Sequence, residues 1–480
     1  METPSPAEIA RQARIASKEW QRAGIARRLA VLQEVGEEVA RRREEIVSHL
    51  RRESLSRRLA DYFVEWIVHA ADPGLLAAYA RDLARWVRTP GGGELLVRRA
   101  DGVVLIVTPG NSPTLQSASA FSVLLAGNAV IVRAPENDGG TRFLLEEIVR
   151  PALVRSGLSP HVAAVVTGKS RPILSSLVPC PDVDTVVFFG NSQAGDAVAG
   201  LGLQHRKKVV LELSGSDNLV VWRDAPVEQA VASASRAWFG STQPCPVPKH
   251  IFVHGAVFDR FVEAFVADVP RHDKTVPADG EEGVLVALAN PEGYRAALAE
   301  IREVGEIRCG GYTMSEDGRP DPEGIYAAPT VVTLTAEACR GRRLACFEEE
   351  ISFPLIPVVR FDGDDDTVHG EITEMVEKSP FGLRASIWTA SAEVMARFVE
   401  DVRSVGLILC NDDHARSPLY ASPWGGPKRS GGPRGESHLF WEQTSHLQAI
   451  ACDRLSAEEI RAIVTRLGCV GVGEEGAEIR

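Results

Sequence analysis

The chain has 480 residues, too many for one ordinary hydrophobic core and enough for roughly two to four domains. A formal net charge of −12 and a pI near 5.5 argue against nucleic acid or an anionic membrane as the main partner. With 44% hydrophobic residues, mean hydropathy −0.06 and no apolar run of transmembrane length, no membrane span is expected. The eight cysteines, at 180, 245, 309, 339, 346, 410, 452 and 469, show no metal-binding spacing and no disulfide framework. Such a chain belongs in a reducing cytoplasm, and no metal site is expected. Its N-terminus is polar and helical in pattern, unlike a signal peptide.

Residues 5–87 predict helices, with Pro4 and Pro6 placed at the start. After the glycines at 91–93, Glu94–Arg99 predicts a short strand, and then an α/β rhythm begins. Strands are expected at Val103–Val107, Ala129–Val132, Val162–Val166, Thr185–Phe189 and Val209–Leu213. Helices are expected between them at Leu115–Leu125, Thr141–Ser156, Arg171–Leu177 and Ser192–Leu201. Short, wholly apolar strands alternating with helices imply parallel pairing through right-handed crossovers, a doubly wound domain.

A second α/β series follows, with a helix at Pro226–Phe239 and a strand at Ile251–Val253. Between them lies Ser-Thr-Gln-Pro-Cys-Pro-Val-Pro-Lys-His at 241–250. Prolines on both sides of Cys245 fix the backbone and remove donors, so the thiol sits in a stiff loop. Further on come the helix Val257–Val266, a polar excursion at 273–290, strands at Val331–Leu334, Leu355–Arg360 and Gly406–Asn411, and the helix Ala392–Val402. The stretch 422–435 is rich in glycine and proline and reads as a long loop, and residues 455–467 predict a final helix capped by Ser456.

Several short motifs close these strands in a fixed order. They are Pro109-Gly110-Asn111-Ser112-Pro113, Arg133-Ala134-Pro135-Glu136, Phe189-Gly190-Asn191-Ser192, Leu211-Glu212-Leu213-Ser214-Gly215, Cys245, Glu349-Glu350-Ile351-Ser352-Phe353-Pro354, Pro380-Phe381-Gly382-Leu383 and Pro423-Trp424-Gly425-Gly426. Their order and spacing resemble the aldehyde dehydrogenase superfamily over about residues 20–450. The resemblance implies an α/β fold with two doubly wound parallel-sheet domains and a small β segment for oligomerisation. The boundaries it implies are 1–87 with 101–214 for the dinucleotide-binding domain and 215–435 for the catalytic domain. Residues 88–100 with 436–452 would form the oligomerisation segment, and 453–480 a C-terminal extension. A homodimer or homotetramer is expected.

The same resemblance implies an NAD(P)-dependent oxidation of an aldehyde to the acid. Cys245 falls on the nucleophile, Asn111 on the oxyanion donor and Glu212 on the general base that activates water. A carboxylate inside Val-Val-Leu-Glu-Leu is expensive unless it is used. For the cofactor the matching residues are Thr108, Pro109, Arg133, Glu136, Gly168, Gly190, Asn191, Gly195, Leu213 and Glu350. Glu136 favours NAD by repelling a 2′-phosphate, whereas Arg133, where the family usually has Lys, keeps NADP open. Ser352 replaces an aromatic of the family, Ser214 a glycine, and Pro244 and Pro246 are unusual neighbours of the nucleophile.

Substrate-wall positions are Ser112, Leu115, Gln116, Ser119, Pro244, Pro246, Asp412, Asp413, His414, Arg416, Tyr420 and Trp424. That set is polar and points to a small polar aldehyde, with His414 and Arg416 available to a carboxylate or phosphate. Two alternatives stay open. Coenzyme A or a carrier-protein thiol in place of water would make a thioester-forming or thioester-reducing enzyme, against which Glu212 argues. A non-catalytic binding protein on this fold is opposed by the joint presence of Cys245, Glu212, Asn111 and Glu350.

Overall fold

The N-terminal pattern folds as five helices, Pro6–Arg22, Gly24–Arg41, Arg43–Arg52, Arg57–Ala70 and Pro73–Asp82. The computed structural model describes residues 4–89, 92–276, 281–416, 422–432, 439–452 and 454–470, with the backbone alone at 88, 89 and 92. Ser5, Ser56 and Asp72 cap three of these helices by accepting from the backbone N–H three residues on. The helical expectation for 5–87 fails at its end, because Ala84–Thr89 is a strand. It pairs antiparallel with Gly92–Ala100, which pairs in turn with Ser445–Ala451. Pairing with the adjacent segment here overrides local helical spacing.

Five parallel strands form the first large sheet, in the order Ala163–Thr167, Ala129–Ala134, Val103–Val107, Thr185–Phe189, Lys208–Glu212. The first strand in the chain lies in the middle, so the order reverses at Val103–Val107. Their continuous apolar runs are explained by burial on both faces. Val104, Ile106, Val130, Val132, Val187 and Val210 enter one core, while Val103, Leu105, Val107, Ile131, Val186 and Leu211 enter the other.

The second sheet has seven strands, in the order Glu306–Cys309, Thr330–Thr335, Leu355–Phe361, Pro248–His254, Asp217–Val221, Arg384–Trp388, Leu407–Cys410. Only the Glu306–Cys309 edge pairs antiparallel. Two of its central strands, Asp217–Val221 and Arg384–Trp388, escaped the sequence reading because Asp217, Asn218, Arg384 and Ser386 interrupt their apolar pattern. The predicted final helix spans Ala457–Leu467, where Ser456 and Glu459 form a reciprocal capping box. Gly468 O accepts from Ala26 N at 2.9 Å, tying this helix to the N-terminal ones. All eight cysteines are free thiols, and among the described residues no helix is long and apolar enough to cross a membrane.

Candidate active site

The C-terminal ends of both parallel sheets open onto one cavity of about 500 Å³. Ligands of open α/β sheets bind at such carboxyl edges, at the point where strand order reverses. Thr108, Pro109, Asn111 and Ser112 follow the reversing strand; Arg133, Gly190, Asn191, Glu212 and Leu213 close its neighbours. From the other sheet and its loops come Gln243 to Pro246, Glu350, Ser352, Leu383 and Arg384.

Cys245 is held by an unusual approach. Gly240, Ser241 and Thr242 all lie at left-handed φ, of 58°, 52° and 65°. Such values are rare for serine and costly for β-branched threonine, so they need compensation. Ser241 Oγ donates to Val286 O at 2.7 Å and accepts from Val286 N at 2.9 Å, while Thr242 Oγ1 donates to Ala237 O at 2.7 Å. The fully buried Lys249 fastens the other side, its Nζ donating to Thr242 O and, at 2.8 Å, to Ile351 O. Asn111 Nδ2 donates to Gln243 O at 3.3 Å, which brings the amide to the Cys245 loop. Gly215 explains the glycine of its motif: a Cβ there would stand 2.8 Å from Cys245 O and 2.9 Å from Leu383 Cδ2.

Electrostatically the thiol sits among acids. Burial first, then Glu212, Glu350 and Asp217, push the Cys245 thiol well above its usual range, with Arg384 opposing them. Burial and then the Glu350 charge push the Glu212 carboxyl far up as well, again against Arg384. Glu350 is raised by burial and eased by Lys249, and its Oε1 accepts from Gly215 N at 3.3 Å. The neighbouring His250 is lowered to about 4 by burial, so its ring is neutral and packs on Phe347. Glu212 and Cys245 are therefore both biased to their protonated forms, and a carboxyl that gains a thiol proton gains it in an environment that favours it.

The dinucleotide end passes a test of fit. The helix Ser192–Gln204 begins at the cavity, with Gly190, Asn191 and Ala194 on the wall and Asn191 Oδ1 capping Ala194 N at 2.8 Å. Such an N-terminus presents free N–H groups and positive potential to a pyrophosphate. Glu350 and Ser352 flank the space between this helix and Cys245, suited to a ribose and a ring.

Several residues expected at the site lie elsewhere. Glu136 is exposed and off the wall. Arg133 reaches the wall, but its Nε and Nη1 donate to Gly168 O at 2.7 Å and Thr108 O at 2.9 Å, so Gly168 serves as its acceptor outside the cavity. Gly195 is a packing glycine, since a Cβ would meet Leu213 Cδ2 at 2.6 Å.

On the substrate side, Ser119 is buried, donates to Gln116 O at 2.7 Å and faces a separate small cavity. His414 is wholly buried outside the wall, with Nδ1 2.7 Å from Ser386 Oγ and Nε2 3.4 Å from Asp217 Oδ2. Arg416 pairs with Asp412, and Asp413 with Arg236, so these charges are matched within the protein and off the wall. Tyr420 lies outside the described residues. Ser112, Gln116 and Trp424 do line the cavity.

The expected polar wall is thus largely aromatic. Tyr62, Phe63 and Trp66 of helix Arg57–Ala70 join Leu115 and Trp424, and Trp66 meets Trp424 edge-on at 6.2 Å. Sequence reasoning missed Tyr62, Phe63 and Trp66, and also Arg384, Lys249 and Asp217, which stand at or beside the start of their strands and not inside a continuous apolar run as Glu212 does.

Residues 5–450 match the model of the aldehyde dehydrogenase family. The chain is 29% identical over 438 residues to hydroxyisobutyraldehyde dehydrogenase of Mycolicibacterium austroafricanum, covering 87% of this chain and 80% of that protein. It is 28% identical over 336 residues to succinate-semialdehyde dehydrogenase [NADP(+)] 1 of Mycobacterium bovis, covering 69% and 68%. Among solved structures, glyceraldehyde-3-phosphate dehydrogenase of Methanocaldococcus jannaschii, complexed with NADP, superposes with a TM-score of 0.78 at 21% identity, covering 94% of this chain and 95% of that one. The chain belongs to the aldehyde dehydrogenase family, enzymes that use NAD or NADP.

Proposed function

We propose that this protein oxidises a small aldehyde to its carboxylic acid with NAD or NADP, through a covalent intermediate on Cys245. The observation that carries this reading is one cavity lined by Cys245, Glu212 and Asn111, with a helix N-terminus at its other end. Glu212 takes the thiol proton, and the sulfur adds to the aldehyde carbon to give a tetrahedral thiohemiacetal. Asn111 and the Cys245 N–H receive the developing oxyanion. Bound nicotinamide supplies the hydride acceptor. What remains on Cys245 after oxidation is an acyl thioester. Glu212, having passed the thiol proton to solvent, then takes a proton from water, whose oxygen attacks the thioester carbon and releases the acid and the Cys245 thiolate. Gly190, Asn191 and Ala194 would hold the pyrophosphate of such a dinucleotide, and Glu350 its ribose.

Support for a small aldehyde with a polar group comes from the relatives, whose names specify hydroxyisobutyraldehyde and succinate semialdehyde. We further propose that the three-stranded sheet pairs subunits into a dimer or tetramer. Its edge strand Ser445–Ala451 is largely exposed, with Leu447 50% accessible, and an unpaired edge of that length invites a second copy. The test of function is an aldehyde panel with NAD and with NADP, each with and without coenzyme A, followed by NAD(P)H absorbance. Turnover without coenzyme A is expected. An absolute requirement for it would overturn hydrolysis in favour of a thiol acceptor.

A further inference from the structure

Arg384 opens the strand Arg384–Trp388 and lines the cavity while remaining only 4% exposed. Its backbone N–H donates to Asp217 Oδ1 at 3.1 Å. Its Nη1 donates to Arg416 O at 2.9 Å and His414 O at 3.3 Å, and its guanidinium lies 5.3 Å from the Trp66 ring centre. Tyr62 Oη donates to the intervening Ala415 O at 2.8 Å. Three successive carbonyls of one turn therefore hold or meet side chains of the cavity wall. The buried His414 ring, fixed by Ser386 and Asp217, pins that turn from behind.

This arrangement uses Nη1 and leaves the Nε–Nη2 edge without a partner among the described residues, where Arg384 also makes no ion pair with a carboxylate. A buried cation without a counter-charge is expensive, so a pre-positioned one calls for an anion that arrives with a ligand. The free edge is the fork that matches a carboxylate through two parallel hydrogen bonds. Of the nearby acids, burial biases Glu212 and Glu350 towards their neutral forms, and Asp217 meets the backbone N–H of Arg384 and not its guanidinium.

We infer that Arg384 is the specificity-determining residue of the substrate end, and that it selects aldehydes carrying a carboxylate at their far end. The inference rests on the oxidation proposed above and names its substrate class. Aromatic side chains Tyr62, Trp66 and Trp424 enclose the short carbon chain, the Nε–Nη2 edge takes the carboxylate, and the aldehyde is left facing Cys245.

The test compares succinic and glutaric semialdehydes with butanal and pentanal in the wild type, Arg384→Gln and Arg384→Lys. The readout is the ratio of kcat/KM for the carboxylated over the neutral aldehyde. Loss of the Arg384 charge also alters Cys245 and Glu212, but that effect falls on both aldehydes and cancels in the ratio. Arg384→Gln is expected to lower the ratio about 100-fold, and Arg384→Lys, which keeps the charge and loses the fork, about 10-fold and mainly through KM. An unchanged ratio, or a wild-type preference for the neutral aldehydes, would overturn the inference.

A second measurement is independent of turnover and of variant folding: protection of wild-type Cys245 from iodoacetamide by glutarate, with glutaramide as the neutral control. Glutarate alone should protect. Equal protection by both, or by neither, would count against the carboxylate site. Protection in an enzyme that oxidises no aldehyde would remove the proposed reaction and leave the site standing.

Discussion

The two walls of the cavity are built from different materials. The five-stranded sheet offers mostly backbone and neutral groups, Thr108, Pro109, Gly190, Asn191, Leu213 and the start of one helix, with Arg133 and Glu212 as its charged residues. The seven-stranded sheet and its loops bring Cys245, Glu350 and Arg384 to the wall, with Asp217 and Lys249 buried outside it. The first wall suits a ligand whose shape and charge are constant, which dipoles and close packing can recognise. At the second, burial pushes the Cys245 thiol and the Glu350 carboxyl up and the Lys249 amine down, which is useful where protons and electrons must move. Changes to the ionisable groups around the thiol, Glu212 of the first sheet included, should therefore act on rate through protonation, and changes at Gly190, Asn191 and the helix start through dinucleotide binding.

The largest expected effect is that of Cys245→Ser, which removes the only thiol on the wall and should lower aldehyde-dependent NAD(P)H formation more than about 1,000-fold. Residual turnover within tenfold of wild type would sink the nucleophile assignment. Next comes Glu212→Gln. It should slow acid release by about 100-fold and leave an acyl adduct on Cys245 visible by intact mass. Because both Glu212 and Cys245 are raised, their ionised forms grow as pH rises, so wild-type kcat/KM should climb with pH and the variant should lose or displace that limb. A pH profile unchanged by Glu212→Gln would show that another group takes the proton. Asn111→Ala removes the amide that reaches the Cys245 loop, and should cost about 100-fold in kcat with little change in the Kd for NAD or NADP.

What could be read from the sequence follows from locality. Asn111, Gly190 and Glu212 each end or follow a strand of one parallel sheet, and strands of such a sheet deliver their C-terminal ends to the same edge. Their motifs, matched in order to the aldehyde dehydrogenase family, named them, and the shared edge of one parallel sheet brings them to one cavity. The aromatic wall was out of reach because Tyr62 meets residue 415 across 353 positions, and helical spacing reveals an apolar face without saying what it faces. His414 misled for a related reason. A histidine among aspartates in a loop reads as solvated, whereas here Ser386 and Asp217 satisfy its ring inside the core. Ala84–Thr89 failed as a helix because it pairs with the next segment, Gly92–Ala100, which is itself held by Ser445–Ala451 from the far end of the chain.

A second acidic cluster, away from the thiol, separates the burden of buried charge from its use. Thr114 Oγ1 lies 2.6 Å from Glu53 Oε1 and 2.9 Å from Asp138 Oδ1. One hydroxyl has one proton for two acceptors, so a proton on Glu53 completes the set. Burial and the Asp138 charge accordingly push the Glu53 carboxyl up to about 8. In the unfolded chain it titrates near 4.5, so the folded state binds this proton more tightly. Its stabilising contribution is full below pH 4.5, declines by up to about 1.4 kcal/mol per pH unit, and is lost as pH rises through 8. Glu53→Gln, neutral at every pH, should match wild type near pH 5 and exceed it increasingly towards pH 9, measured as Tm across that range. Because Glu53 does not line the catalytic cavity, its pH dependence should appear in stability and leave the kcat/KM profile in place. Parallel Tm curves for the two proteins would mean that Glu53 is ionised in the fold, and that the strain of buried acids is confined to the wall where the chemistry occurs.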